Sequence, residues 1–277
     1  MRTQMTDAEI TSRLSELEPG IPWANHYVLG SGIETVTAEA GHFYGKAMGL
    51  KAFTDLLPGI LRKHMGIDSF AGLRCLDIGS AEGLHAMFMG EQGAREVIGL
   101  EGRQLYVDRS NFIAEAKGLD NVRFLQNDVR TLDPAAFGQF DFVLCSGLLH
   151  HLNGEAFVHF TQAMADVTGD TLVLYTHTAT DWAVNHFKLT ESARVANRYD
   201  GFLFREHKDE ATPEQRTRQV RASLDNTYSF WARESSLVRR LVEVGYKSIL
   251  KVHEPVFTQT FNEREFRALW VLSKKQI

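Results

Sequence analysis

The chain changes its rhythm at Leu73. From there, short apolar runs alternate with stretches whose apolar residues recur at helical spacing. RCLDIG (74–79) reads as a strand closed by the turn GSAEG (79–83), and a helix runs from Leu84 to about Gln92. EVIGLEG (96–102), VRFLQND (122–128), FDFVLCSG (140–147) and TLVLYTHT (171–178) repeat the strand pattern. Helices are expected over 104–117 and 154–167. Strands spaced by helices in this way predict a parallel sheet with both faces covered.

The flanks differ. Thr6 and Glu9 predict a capped helix over 6–18, on which Ile10, Leu14 and Leu17 share a face. Residues 21–47 hold no sustained period and read as an ordered loop or hairpin. A helix over 46–64 follows, with a break expected near Pro58. Residues 181–233 interrupt the alternation; rich in charge, they read as helical segments, one of them started by Pro213. A helix over 235–246 and strands over 248–257 and 266–275 close the chain. The expected organisation is an N-terminal lid (1–65), a core (66–180), a lid insertion (181–233) and a return to the core (234–277).

Composition narrows the class. With 277 residues, one core domain carrying an extra lobe is expected. The hydrophobic share of 44% and charged share of 23% are ordinary globular values. A net charge of -5 argues against a chain-wide basic surface for nucleic acid. No apolar run is long enough to span a bilayer, and the first twenty residues lack the apolar centre of a secretion signal. Cys75 and Cys145 sit in apolar runs without a spacing motif, so a reducing, cytoplasmic setting without disulfides is expected.

The chemistry concentrates at the strand ends, where open parallel sheets bind ligands. Gly79 and Gly83 bracket a tight turn. Glu101 follows 22 residues beyond Gly79, where an acid can take both ribose hydroxyls, and Asp128 ends the third strand, placed for an adenine amino group. The run L76-D77-I78-G79-S80-A81-E82-G83, with VIGLEG, LQNDV and FDFVLCSGLLHHL after it, resembles the Rossmann-like S-adenosylmethionine-dependent methyltransferases. The resemblance implies a doubly wound, mostly parallel seven-stranded sheet with an antiparallel last strand, plus a helical or loop lid. It also implies S-adenosyl-L-methionine as cofactor. Asp77, with the backbone from Gly79 through Ser80 and Glu82 to Gly83, would hold the amino-acid end; Glu101 would hold the ribose, and Asp128 and the Val129 amide the adenine. Cys145, Ser146 and Gly147 would line the pocket. Ala81 departs from the family, which usually has a second glycine there. A dehydrogenase competes for the fold, but Glu82 would repel a pyrophosphate and leaves a cationic sulfonium undisturbed.

For the acceptor, His150 and His151 follow the fourth strand and His177 ends the fifth. L149-H150-H151-L152 resembles the family's leucine–aromatic–histidine run, which makes His151 or His150 the expected base, beside hydrogen-bonded roles at a helix start. No metal site is expected, because the histidines show no ligand spacing. Trp23, His26, Tyr27, Glu34 and Tyr44 offer donors and ring faces to a small polar substrate, with Tyr27 also a catalytic candidate. P22-W23-A24-N25-H26-Y27 and N226-T227-Y228-S229-F230-W231 are similar to segments of a subgroup related to the tRNA-uridine carboxymethyltransferases. Arg194, Arg198 or Arg205 would pair with a substrate carboxylate. The reading is a methyltransferase acting on an amino acid or a similar metabolite at nitrogen, sulfur or oxygen, a methionine thioether included. The alternatives are a tRNA-base methyltransferase, kept open by arginines 194, 198, 205, 216, 218 and 221, and a cofactor-binding protein without chemistry. No membrane partner is expected, and a homodimer is compatible with the sequence.

Overall fold

A computed structural model describes residues 5–17, 20–36, 50–253 and 266–276. Tyr44, the start of the helix expected at Lys46 and the second half of the strand over 248–257 lie outside the described residues. The chain forms two compact units, Met1–Asn127 and Asp128–Ile277.

The first unit opens with helix α1 (Asp7–Glu16), capped as the sequence predicts: the Thr6 hydroxyl accepts from the Glu9 N–H while the Glu9 carboxylate reaches back. A two-residue hairpin follows, β1 (Val28–Leu29) and β2 (Ile33–Glu34). Helix α2 (Leu50–Ile60) runs through Pro58 without the expected break, and its last turn widens into a π-helical segment, Leu61–Met65, ended by Gly66 in the left-handed region. A missing N–H and a ring clash are thus followed by a widened turn rather than a stop. Strand β3 (Arg74–Ile78), α3 (Leu84–Glu91), β4 (Glu96–Glu101), α4 (Gln104–Ala116) and β5 (Val122–Gln126) complete the unit, with β3, β4 and β5 paired in parallel. Strands β3 and β4 are buried almost end to end, as a sheet covered on both faces requires.

In the second unit, a short helix α5 (Pro134–Phe137) precedes β6 (Phe140–Ser146). A 3-10 turn, Leu149–His151, leads into α6 (Gly154–Val167), which Asn153 caps. Strand β7 (Thr168–His177) pairs in parallel with β6. After α9 (Glu234–Glu243), strands β11 (Ser248–Val252) and β12 (Arg267–Ser273) finish the sheet, β12 lying antiparallel to both β11 and β7. The seven-stranded order is β11-β12-β7-β6-β3-β4-β5, the doubly wound arrangement the sequence implies.

Residues 181–233 depart from expectation. Two short helices, α7 (Asp181–His186) and α8 (Pro213–Arg218), accompany a three-stranded antiparallel sheet: β8 (Thr190–Val195), β9 (Tyr199–Arg205) and β10 (Tyr228–Ala232). The hairpin joining β8 to β9 turns on Ala196 and Asn197, both at positive φ, with the Arg198 N–H donating to the Val195 carbonyl. That is the sense of turn that matches strand twist. The aromatic β-formers of β9 and β10 override the helical reading that the charged neighbours invite.

Candidate functional site

In the first unit the glycine turn is shaped by close approach. Gly79 and Gly83 lie at φ +76° and +80°, and a Cβ on Gly83 would meet the Phe124 ring at 2.5 Å. Ala81 also sits in the left-handed region at φ 48°, so this chain carries an alanine where the backbone favours glycine. Glu101, at the end of β4, accepts from the Ala81 N–H (3.0 Å) and the Arg103 N–H (2.9 Å), which pins the turn to the neighbouring strand. Burial pushes the Glu101 carboxyl upward, opposed by those amides and by Arg103.

Several polar groups here are buried with no protein partner: Asp77 Oδ2, Ser80 Oγ and both ends of the Asn25 carboxamide. Buried polar atoms are otherwise paired, so these are the atoms a polar ligand would satisfy. They fit the amino-acid end of S-adenosylmethionine, which brings an ammonium and a carboxylate. Asn25, fully buried, was not singled out from the sequence; only the fold brings its backbone to Glu82.

Asp77 is pushed up to about 7, first by burial and further by Glu101, against the Ala86 N–H that pulls it down. A raised carboxyl holds a proton in the native state that the unfolded chain has lost, so stability falls as pH rises from about 4 to about 7. Ligand binding has the opposite sign. An ammonium needs the ionised form, so cofactor affinity should fall by up to about tenfold per pH unit below about 7. Calorimetric titration of S-adenosylhomocysteine between pH 5.5 and 8.5 checks this; a flat profile removes Asp77 from the ammonium.

Three expectations need correction here. Glu82 does not face the turn. Its carboxylate and Arg109 are both 0% exposed and paired at 2.7 Å, and it also accepts from the Ala24 and Asn25 N–H groups. The argument that its charge repels a pyrophosphate therefore lapses: a fully buried, paired carboxylate projects little field into the turn. The Tyr27 hydroxyl donates to the Glu82 carbonyl at 2.6 Å, which makes it a strut beneath the turn rather than a catalytic or substrate group. Trp23 is buried under the Arg109 guanidinium, 4.5 Å from its ring centre, and packs instead of presenting a face. His26 and Glu34 lie 3.4 Å from each other near the hairpin.

In the second unit, Asp128 caps the 3-10 turn Val129–Thr131 and is clasped by Arg130, whose guanidinium also reaches Asp225. Arg130 holds the Asp128 carboxyl low. Cys145 is buried within β6, and Ser146 ends it half-buried.

The histidines form the sharper feature. His150 and His177 stack at 3.7 Å, and His151 lies 4.3 Å from His150. Burial, then the neighbouring His177, His151 and Arg267, hold His150 well below the ordinary imidazole range, so it is neutral. Its Nδ1 accepts from the His177 backbone N–H at 3.3 Å. His151 is different. Its Nδ1 meets Glu206 Oε1 at 2.8 Å, with 20% of the His151 side chain exposed against 1% of Glu206. The other Glu206 oxygen accepts from the Ser223 N–H at 3.0 Å, and Asn226 Nδ2 donates to the His151 carbonyl. A carboxylate only accepts, so Nδ1 of His151 is the donor in this contact, which in the neutral ring leaves the lone pair on Nε2. The stacked rings do not converge; among the described residues no group of three metal-ligating side chains could hold an ion.

The arginines expected to meet a substrate carboxylate are engaged locally. Arg194 pairs with Asp200, Arg198 with Glu243 and Arg205 with Asp209. Arg216 donates to backbone carbonyls, those of Ala211 and Asp225.

Residues 75–170 match the methyltransferase-domain family. Over 94 residues the chain is 29% identical to the ubiquinone biosynthesis O-methyltransferase of Acinetobacter baylyi, a stretch covering 34% of this chain and 38% of that relative. The N-terminal domain of EvdMO1, solved with S-adenosylhomocysteine and D-fucose, superposes at a TM-score of 0.70 with 26% identity, covering 98% of each chain. The chain spans 49% of the length of full EvdMO1. Magnesium protoporphyrin IX methyltransferase from Synechocystis PCC 6803, with bound S-adenosylhomocysteine, shares the fold at a TM-score of 0.55 and 15% identity, covering 96% of this chain and 94% of that one. Residues 75–170 thus form a methyltransferase domain, and the seven-stranded fold around them is that of class I S-adenosylmethionine-dependent methyltransferases solved with bound S-adenosylhomocysteine. Among the described residues, no helix is long and apolar enough to cross a membrane.

Proposed function

We propose that the chain methylates a hydroxyl group of a small polar acceptor, with His151 as general base and Glu206 as the group that orients it. The carrying observation is the 2.8 Å contact between His151 Nδ1 and a carboxylate that is itself almost fully buried. When bound, the cofactor supplies a methyl group on a sulfonium, open to in-line displacement. Asp77, Ser80, Asn25 and Glu101 would hold it. His151 Nε2 takes the proton from the acceptor hydroxyl as that oxygen attacks, and Glu206 stabilises the imidazolium that forms. A thioether needs no base, so the dyad speaks against the methionine reading. His150, neutral and stacked, serves as the wall that fixes His151.

Two relatives support oxygen as the acceptor atom: one is named an O-methyltransferase, and the EvdMO1 domain was crystallised with a deoxysugar. The paired state of Arg194, Arg198 and Arg205 favours a small molecule over RNA, which needs free cations. The two buried cysteines, which are not joined in a disulfide, suit a reducing compartment. The test is a screen of labelled S-adenosylmethionine against sugars, hydroxy acids, phenols, amino acids and bulk tRNA. Label in a base-stable methyl ether supports the reading. Label only in an amine, a thioether or tRNA overturns it.

A further inference from the structure

Arg194, Arg198, Arg205 and Arg216 have partners, whereas one arginine in β12 has a buried nitrogen without one. Arg267 opens that strand with its Nε buried and without a partner, and among the described residues no carboxylate pairs with it. In the β12–β7 register Arg267 lies directly opposite His177. Directly opposed residues in an antiparallel pair project to the same face, with Cβ atoms about 5 Å apart. The cation therefore sits beside the stacked His177 and His150 rings.

Two more polar atoms at this spot lack partners. His177 Nδ1 is buried and unbonded, and so is the indole Nε1 of Trp231, a residue only 2% exposed. The Trp231 and His177 ring centres are 4.8 Å apart. Phe266 closes the group, 4.9 Å from His177 and 5.4 Å from the Arg267 guanidinium carbon. An indole N–H and an arginine N–H can only donate. Left unpaired in a buried place, each carries a cost that one acceptor group would remove. A neutral hydroxyl has lone pairs for two donors and no charge to offer; an oxyanion has lone pairs for all three and matches the charge.

We propose that Arg267, Trp231 and His177 form an oxyanion subsite that receives a carboxylate or phosphate group of the methyl acceptor. The acceptor is then a hydroxylated acid rather than a neutral sugar or an amine. The assignment rests on the acceptor reading above, since it places the charged end of that molecule next to the histidine row that ends in His151.

The chain has four tryptophans, so its indole N–H signals form a small set that single Trp→Phe variants assign. Trp270 supplies an internal control: three residues along β12 from Arg267, it projects from the opposite face. Acetate and inorganic phosphate are titrated separately into the full chain saturated with S-adenosylhomocysteine, with chloride as the ionic-strength control. The expected result is a saturable shift of the Trp231 indole signal with at least one of the two ions, while Trp270 stays still. The ion that saturates first identifies the carboxylate or the phosphate. Arg267→Gln should weaken that binding about tenfold or more, and Arg267→Lys should restore part of it. A Trp231 signal that ignores both ions, follows chloride equally or responds unchanged in Arg267→Gln overturns the proposal. The dispersed spectrum of each variant reports that it has folded. Anion binding without methylation of any hydroxyl leaves the subsite standing and removes the dyad reading. Hydroxyl methylation by a chain whose Trp231 ignores the ions does the reverse.

Discussion

His151→Ala should lower turnover by about a hundredfold or more while leaving cofactor affinity unchanged. The magnitude follows from the role. A positioned base typically contributes factors of about 10² to 10⁴, and His151 is the imidazole among its neighbours with both an accessible ring and a carboxylate behind it. Glu206→Gln should fall by about tenfold or more, because a hydrogen bond to a charged group contributes at least about 1.4 kcal/mol. An amide that turns its N–H toward Nδ1 would also force the proton onto Nε2, removing the lone pair the reaction needs. Turnover with the acceptor found in the screen is measured beside calorimetric binding of S-adenosylhomocysteine. A loss of thermal stability with normal turnover would assign the dyad to packing. Equal losses of turnover and cofactor binding would place His151 at the cofactor.

The frame of this chain was readable because its strands are short, apolar and evenly spaced: the helix over 154–167 and the strand ends at Glu101 and His177 fall where the pattern puts them. Glu206 was not readable. It stands in REHKDE, a run whose composition is that of a solvated loop, and nothing local separates it from Asp209 or Glu210. Only the return of the chain from β9 toward the Leu149–His151 turn buries it. Glu82 was misplaced for the converse reason. Its position in the glycine turn is visible, but the direction of its side chain is decided by Arg109 on another element. That arginine did leave a trace: it falls on the helical face of Tyr106, Ser110 and Ile113, where a lone cation among core residues asks for a buried acid.

Arg109→Met should destabilise the chain by about 3–5 kcal/mol, the usual cost of leaving half of a buried ion pair behind. Both side chains are fully buried, and each does more than meet the other. Arg109 donates to the carbonyls of Leu17, Ile21 and Pro22, so it gathers the strand of chain after α1. Glu82 takes the next two amides, those of Ala24 and Asn25, and Tyr27 bonds the Glu82 carbonyl from the same side. The pair is thus the stitch that seats residues 21–27 on the glycine turn and carries the Asn25 carboxamide there. In many proteins an apolar replacement of both partners recovers the loss, since the desolvation of two charges disappears with them. Here Glu82→Leu with Arg109→Met should recover only part of it, because three carbonyls and two amides lose their partners together. Urea unfolding of the single and double variants measures the stability side. Cleavage of the segment around residues 20–27 by a protease, with and without S-adenosylhomocysteine, measures the seating. A single variant that loses less than about 1 kcal/mol, or a double variant as stable and as protected as the parent, would show that the segment is held by Trp23 and Tyr27 packing and that the charges are incidental to it.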